Sequence, residues 1–232
     1  MKYMKSKELA ITLAISIALS LSVFLADAVA GGCGGCLKGI PTITLRNPKM
    51  EGIQQVSCSN IKVGIKDIKR FHGSVGPGIA LGYRACQIAL SHLYPGEIPP
   101  KGDQFVVSGS TKACPAEAVT YITGAWHGKG SKGILNGNLA FDESIGEFCF
   151  IFASISTGKA IKLTKKFDFP KGFKELKSKL RDKDTPPKEK KKCLKEFNSV
   201  SIDILVAPEK DVFEVTPLPG FSWKDFKKTY MK

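Results

Sequence analysis

Residues 134–163 read ILNGNLAFDESIGEFCFIFASISTGKAIKL. Three strand-like runs, 134–141, 147–154 and 159–163, are separated only by short turns, with Gly146 and Thr157-Gly158 as punctuation. Parallel neighbours need a crossover of a dozen or more residues, and nothing that long stands between these runs. They are expected to pair antiparallel. The Phe148-Cys-Phe-Ile-Phe152 run is almost wholly apolar, which predicts a central strand covered on both faces, with Cys149 in the core.

Upstream, 104–109 alternates as a further strand. Pro115, beside Cys114, suits the first turn of a helix that Gly124 ends. A longer helix opens at Gly76-Pro77-Gly78 and closes at Tyr94-Pro95-Gly96. Ile79, Tyr83, Cys86, Leu90 and Leu93 recur at helical spacing along it. Its Ala80, Gly82, Ala85 and Ala89 leave room for a partner helix. Before it, Ser59-Asn60 can cap a short helix running to Phe71, with Ile61, Ile65 and Ile68 on one face. Residues 41–60 give no clear signal. The order is helix–strand–helix and then three strands. That is an α+β fold, a mixed sheet with helices on it, followed by a basic C-terminal extension. In the extension, 173–180 reads as a short basic helix and 182–192 as an exposed linker. Residues 200–206 alternate as an edge strand. The tail 217–232 reads as loop and then a short helix with Phe221, Trp223 and Phe226.

The whole chain has 232 residues, 43% hydrophobic and 24% charged. It can bury a core without staples, and wholesale disorder, collagen and coiled coil are excluded. One long apolar run excludes a polytopic membrane protein. That run, 9–26, follows Lys2, Lys5 and Lys7 and precedes Ala28-Val29-Ala30. A basic start, an apolar middle and an A-x-A end make a secretory signal over 1–30, cleaved after Ala30. An uncleaved membrane anchor is the rival, since 18 charge-free residues can just span a bilayer. A lipid anchor at Cys33 is a weaker third reading, because the apolar run stops well before it. The chain is expected to work outside the cytoplasmic membrane. Residues 31–59 then form a flexible start, 60–165 the domain and 166–232 the Lys-rich extension. Cys33-Gly-Gly-Cys36 has redox or metal spacing, but no second pair exists for a zinc ribbon, and a local disulfide or simply a flexible pair suits it better.

The formal charge is +14, and residues 162–197 alone hold 14 Lys/Arg against 6 Asp/Glu. A solvated lysine surface accounts for that stretch, and an anionic membrane surface is the partner it could also meet. Arg181 is its only arginine and aromatic interleaving is absent, so no nucleic-acid partner is expected.

The run Phe71-His-Gly-Ser-Val-Gly-Pro-Gly-Ile-Ala-Leu-Gly-Tyr-Arg84 resembles the formylmethanofuran dehydrogenase FmdE-like family, which carries His-Gly-His-x-Cys-Pro-Gly leading into Leu-Gly-Tyr-Arg. A second element agrees: Cys114-Pro-Ala-Glu117-Ala118, Ile122-Thr-Gly-Ala125-Trp126 and Gly128-Lys129-Gly130. The resemblance covers roughly 60–165. It implies a metal or thiol site, and by its name an association with a molybdenum or tungsten enzyme. The export signal argues against membership of that cytoplasmic complex. Three ligand positions of the family are Ser74, Gly76 and Ala125 here. His72 and Cys114 remain, with Glu117 as a further candidate for a divalent ion such as zinc, and His127 as a substitute in the glycine loop.

The favoured expectation is a non-catalytic small-ligand or metal-binding accessory module with a degraded metal site. Its ligand would sit near His72, with Tyr83, Arg84, Lys129 and Cys114 around it. One alternative is a thiol- or metal-assisted enzyme. Its catalytic pair would be Cys114, activated by a helix N-terminus, and His72. The other is a structural envelope protein.

Overall fold

A computed structural model describes residues 37, 39–47, 60–110, 113–127, 138–222 and 228–229. Residues 40–232 form one unit and 1–39 another. The expected signal or anchor, Cys33, Cys36, Cys58, the glycine loop with Lys129, and Trp223 and Phe226 of the expected last helix lie outside the described residues.

The sheet has five strands in the order β4-β3-β5-β6-β7. These are β3 (Gln104–Ser108), β4 (Leu139–Phe141), β5 (Phe150–Ser154), β6 (Ala160–Lys165) and β7 (Phe213–Pro217). β3 and β4 run parallel and the other pairs are antiparallel. Of the three runs expected to pair in turn, β5 and β6 do so, whereas β4 does not meet β5, because β3 lies between them, parallel to the one and antiparallel to the other. The apolar β5 is the middle strand, and Cys149 beside it is buried. The fold is therefore α+β with a mixed sheet.

Alternation divides the sheet between two covers. Phe105, Val107, Ala153 and Ala160 face one way, under Ile145, Leu218 and Phe221. Val106, Phe150, Phe152 and Leu163 face the other way and are fully buried, on the side of helix α2 (Pro77–Leu93), which packs on β5 and β6. Burying one such side chain contributes about 1.5–3 kcal/mol, so this face supplies much of the core.

Helix α2 is the centre of the molecule. It touches α3 (Ala113–Thr123), α5 (Pro187–Val206) and α6 (Glu209–Val212). Its N-terminal neighbours are α1 (Ile65–His72) and a two-stranded hairpin, β1 (Ile43–Arg46) with β2 (Asn60–Val63). Helix α4 (Phe173–Arg181) lies against α5.

Several expectations are corrected. Residues 60–63 are strand, not the first turn of a helix. Gly64 breaks the run, and its N–H is accepted by Asp67 Oδ2 at 2.8 Å, so the helix starts at Ile65. Residues 182–192 are only partly linker, because Pro187 opens α5 and Lys-Glu-Lys-Lys-Lys extends it. Residues 200–206 are the end of that helix, not an edge strand. The last strand of the sheet is instead β7, so the Lys-rich segment encloses one strand of the main sheet.

A polar knot locks the start of β3 to the β5–β6 turn. Asp103 Oδ2 accepts from Tyr94 Oη at 2.7 Å, Ser154 Oγ at 2.8 Å and Ser156 Oγ at 2.7 Å, and Oδ1 accepts from Ser156 N at 2.9 Å. Burial pushes the Tyr94 hydroxyl pKa upward, so it stays a donor. Asp103→Ala is expected to cost about 2–3 kcal/mol, a fall in Tm of roughly 4–12 °C for a chain this size. Thermal unfolding followed by circular dichroism measures it, and an unchanged midpoint would mean that the knot is redundant. At Gly82 a Cβ would stand 2.6 Å from the Pro115 carbonyl oxygen. Helix propensity alone would make Gly→Ala stabilising by about 1 kcal/mol. The clash is with backbone that cannot rotate away, so Gly82→Ala is expected to destabilise, by about 1–3 kcal/mol. A higher denaturant midpoint for that variant would refute the close crossing.

Candidate functional site

His72 ends α1, and Gly73 then turns the chain in a left-handed conformation, φ 91°. Its imidazole therefore projects from the last turn of a helix that rests on α3. There Glu117 Oε2 pairs with His72 Nδ1. One turn further along α3, at i+4, Tyr121 meets the ring of Phe71 with centroids 5.2 Å apart. Two adjacent residues of α1 thus meet two residues on one face of α3. The His72 side chain is 19% exposed and that of Glu117 38%, while Phe71 is 54% exposed. The result is a surface pairing of an exposed aromatic with a His–carboxylate dyad. The carboxylate holds the Nδ1 edge, so the Nε2 edge is the one left to meet a ligand.

Cys114 lies in the first turn of α3, half-buried. Its Cβ is 3.2 Å from where a side chain at Gly78 would begin, so it packs against the start of α2. Among the described residues no three His, Cys, Asp or Glu side chains gather where one ion could be held. His127 is bound elsewhere: its Nδ1 is 3.2 Å from the Leu139 carbonyl oxygen, and its ring lies 4.9 Å from Phe141 at the sheet edge. Ala125 is buried, with its N–H accepted by Thr123 Oγ1 at 3.0 Å, and Ser74 is exposed.

Tyr83 and Arg84, expected beside a ligand, are engaged inside the fold. Tyr83 is fully buried, and its hydroxyl lies 2.7 Å from the Pro41 carbonyl and 3.2 Å from that of Val63. Burial raises its pKa, with Cys86 and Asp67 adding to the effect. The side chain ties the β1–β2 hairpin to α2. Arg84 donates to Gln87 Oε1 at 2.9 Å and to the Ala207 carbonyl at 2.8 Å, so it caps the C-terminus of α5. Burial lowers the pKa of its guanidinium, partly offset by Glu209.

One residue at the site was missed by the sequence reading. A side chain at Gly76 would begin 3.1 Å from Phe197 Cε1 and 3.4 Å from Phe197 Cζ. That ring ends a stack reaching back along the C-terminal segment. Phe173 lies 5.7 Å from Phe197, near-parallel, and Phe169 lies 4.5 Å from Phe173, also near-parallel. Lys165 Nζ sits 5.3 Å from the Phe169 centroid. The space beside Gly76 is therefore filled by aromatic carbon. The signal was the i, i+3, i+4 apolar spacing of Cys193, Phe197, Val200 and Ile204, hidden by reading this stretch as linker and strand.

The FmdE family model, described as molybdenum formylmethanofuran dehydrogenase operon, matches residues 71–214. Among solved structures, a tungsten formylmethanofuran dehydrogenase FmdE-like protein from Syntrophus aciditrophicus is 19% identical. That likeness covers 67% of this chain and 72% of the other, with a TM-score of 0.40. No curated protein matches the chain. The matched span runs from Phe71, beside the dyad, into β7 of the sheet, and takes in α5 with its Phe197. By that span, more than half of its length, the chain belongs to the FmdE family.

Proposed function

We propose that this is an exported FmdE-family module that recognises a small ligand without transforming it, its metal centre lost. The observation that carries the reading is the Phe197 ring beside Gly76, at a position where the family resemblance implies a thiolate. A divalent transition ion takes three or four N, O or S donors. Here a nitrogen and a carboxylate face each other, Cys114 packs against α2, and an aromatic edge occupies the next place. The residues do not fit a transition-metal centre. They fit recognition by contact: the exposed Phe71 on Tyr121 supplies an apolar face, and the His72 imidazole held by Glu117 supplies an oriented polar edge. The export reading rests on the basic–apolar–A-x-A order of residues 1–30.

Elemental analysis of protein purified without added metal tests the first half. The expected result is no stoichiometric transition metal after dialysis. The combination Ser74→His, Gly76→Cys, Ala125→Cys and Phe197→Ala is then expected to gain tight zinc binding. A tightly held ion in the natural chain, lost in His72→Ala, overturns the reading.

The thiol-enzyme alternative separates by alkylation of the reduced, folded protein, resolved by residue. With the Nδ1 edge of His72 held by Glu117, Cys114 is expected to react no faster than Cys33 or Cys36, and His72→Ala is expected to change its rate little. A Cys114 that outruns both by about tenfold or more, as a helix-activated thiolate would, and slows in His72→Ala makes the chain an enzyme instead.

A further inference from the structure

Lys188, Lys191 and Lys195 stand at i, i+3 and i+7 of α5, on one face of the helix, and all three are exposed. The nearby acids are engaged by other lysines. Glu189 pairs with Lys179 at 2.7 Å and Glu196 with Lys192 at 4.0 Å. Among the described residues no ion pair reaches Lys188, Lys191 or Lys195. Leu194 projects beside them, 50% exposed. The groove between α4 and α5 is different. Lys171, Lys179, Lys188 and Lys192 line it together with Glu175, Glu189, Glu196 and Asp203, so its charge is balanced. Lys188 stands on its rim, where the groove meets the outer face carrying Lys191 and Lys195. The uncompensated charge sits on the outer face.

The geometry points to the outer face of α5, the lysine row with Leu194, as a docking surface for an anionic lipid bilayer. Three ammonium groups at helical spacing present about one positive charge per turn to a plane of headgroup phosphates, and the leucine reaches the acyl boundary. A nucleic acid would be met by guanidinium forks and exposed aromatic rings. This face has neither, since Phe197 is turned into the stack beside Gly76. The apolar run at 9–26, read as an export signal or anchor, would bring the chain to a membrane surface in the first place.

Co-sedimentation of the full chain with two kinds of vesicle tests this: phosphatidylcholine alone, and phosphatidylcholine mixed with phosphatidylglycerol. The apolar run and the lysines before it are common to every variant and cannot create a difference between them. Preference for the anionic vesicles is expected, and it should vanish in about 1 M salt, where screening shortens to roughly 3 Å. Each lysine near such a surface contributes about a fivefold factor, so Lys188→Gln, Lys191→Gln and Lys195→Gln together should weaken the preference on the order of a hundredfold. Leu194→Ser should weaken binding to the anionic vesicles while leaving the preference set by the lysines in place. Removing the same charge elsewhere, with Lys62→Gln, Lys66→Gln and Lys69→Gln, should leave most of the preference in place. Equal binding to both vesicles overturns the proposal. So does an equal loss in the two triple variants, which would mean net charge and not a face. Tighter binding to duplex DNA than to the anionic vesicles, lost in the same triple variant, overturns it in favour of a nucleic-acid surface.

Discussion

The crossing of α2 and α3 at Gly82 is the contact on which the rest of the site depends. With the Pro115 carbonyl 2.6 Å from where a Cβ would stand, no other residue lets the two backbones approach so closely. Close approach sets the height of α3 against α2, and so the position of its first turn beside Gly78. It also presents one face of α3 to α1, with Glu117 toward His72 and Tyr121 toward Phe71. A wider α2–α3 spacing would move α3 against α1 and disturb both pairs at once, because both join α1 to α3. The dyad is thus a consequence of backbone packing some distance away.

The residues after Gly82 extend this logic. Leu81-Gly82-Tyr83-Arg84 reads in sequence as a signature, and two of its members as ligand contacts. In the fold Gly82 admits α3, Tyr83 fastens the N-terminal hairpin and Arg84 caps α5. Four successive positions of a helix face four directions, so one short motif can tie a central helix to three neighbours. Sequence shows that such residues are special; it does not show whether their partners are ligands or backbone carbonyls.

Legibility followed the range of the determining interaction. The helix over Pro77–Leu93 was readable because its signals are local: proline at the first position, small residues at helical spacing, a Tyr-Pro-Gly stop. The central apolar strand and its antiparallel pairing with β6 were readable from run length and turn spacing; the place of β4 was not, because it pairs with β3 across the intervening helix and not with the strand that follows it. The β1–β2 hairpin was not, since each strand has only four residues and its registration comes from Tyr83 and from the Arg46–Pro100 bridge far along the chain. Residues 200–206 show why short windows mislead. Val200, Ile202, Ile204 and Val206 alternate, but Val200 and Ile204 are also i and i+4. Two periods fit seven residues equally, and only the helix already running from Pro187 decides between them. At the site, His72, Cys114 and Glu117 were legible as chemical residues. Phe197 was not, because nothing local relates it to Gly76, over a hundred positions earlier.

Helix α5 joins these threads, because its faces have different chemistry. Its inner side carries Cys193, Val200, Ile204 and Leu205 into the core and sets Phe197 against Gly76. Its outer side carries lysines whose like charges repel along an isolated helix. Such a helix gains little from propensity alone and is held by what it buries and by its ends. Pro187 starts it, α4 stacks Phe173 on Phe197, and the Arg84 guanidinium satisfies the Ala207 carbonyl at its far end. The guanidinium comes from α2, the same helix that Gly76 caps and whose first turn holds Gly78. The helix that α3 crosses at Gly82 therefore also holds the far end of the helix that fills the space beside Gly76.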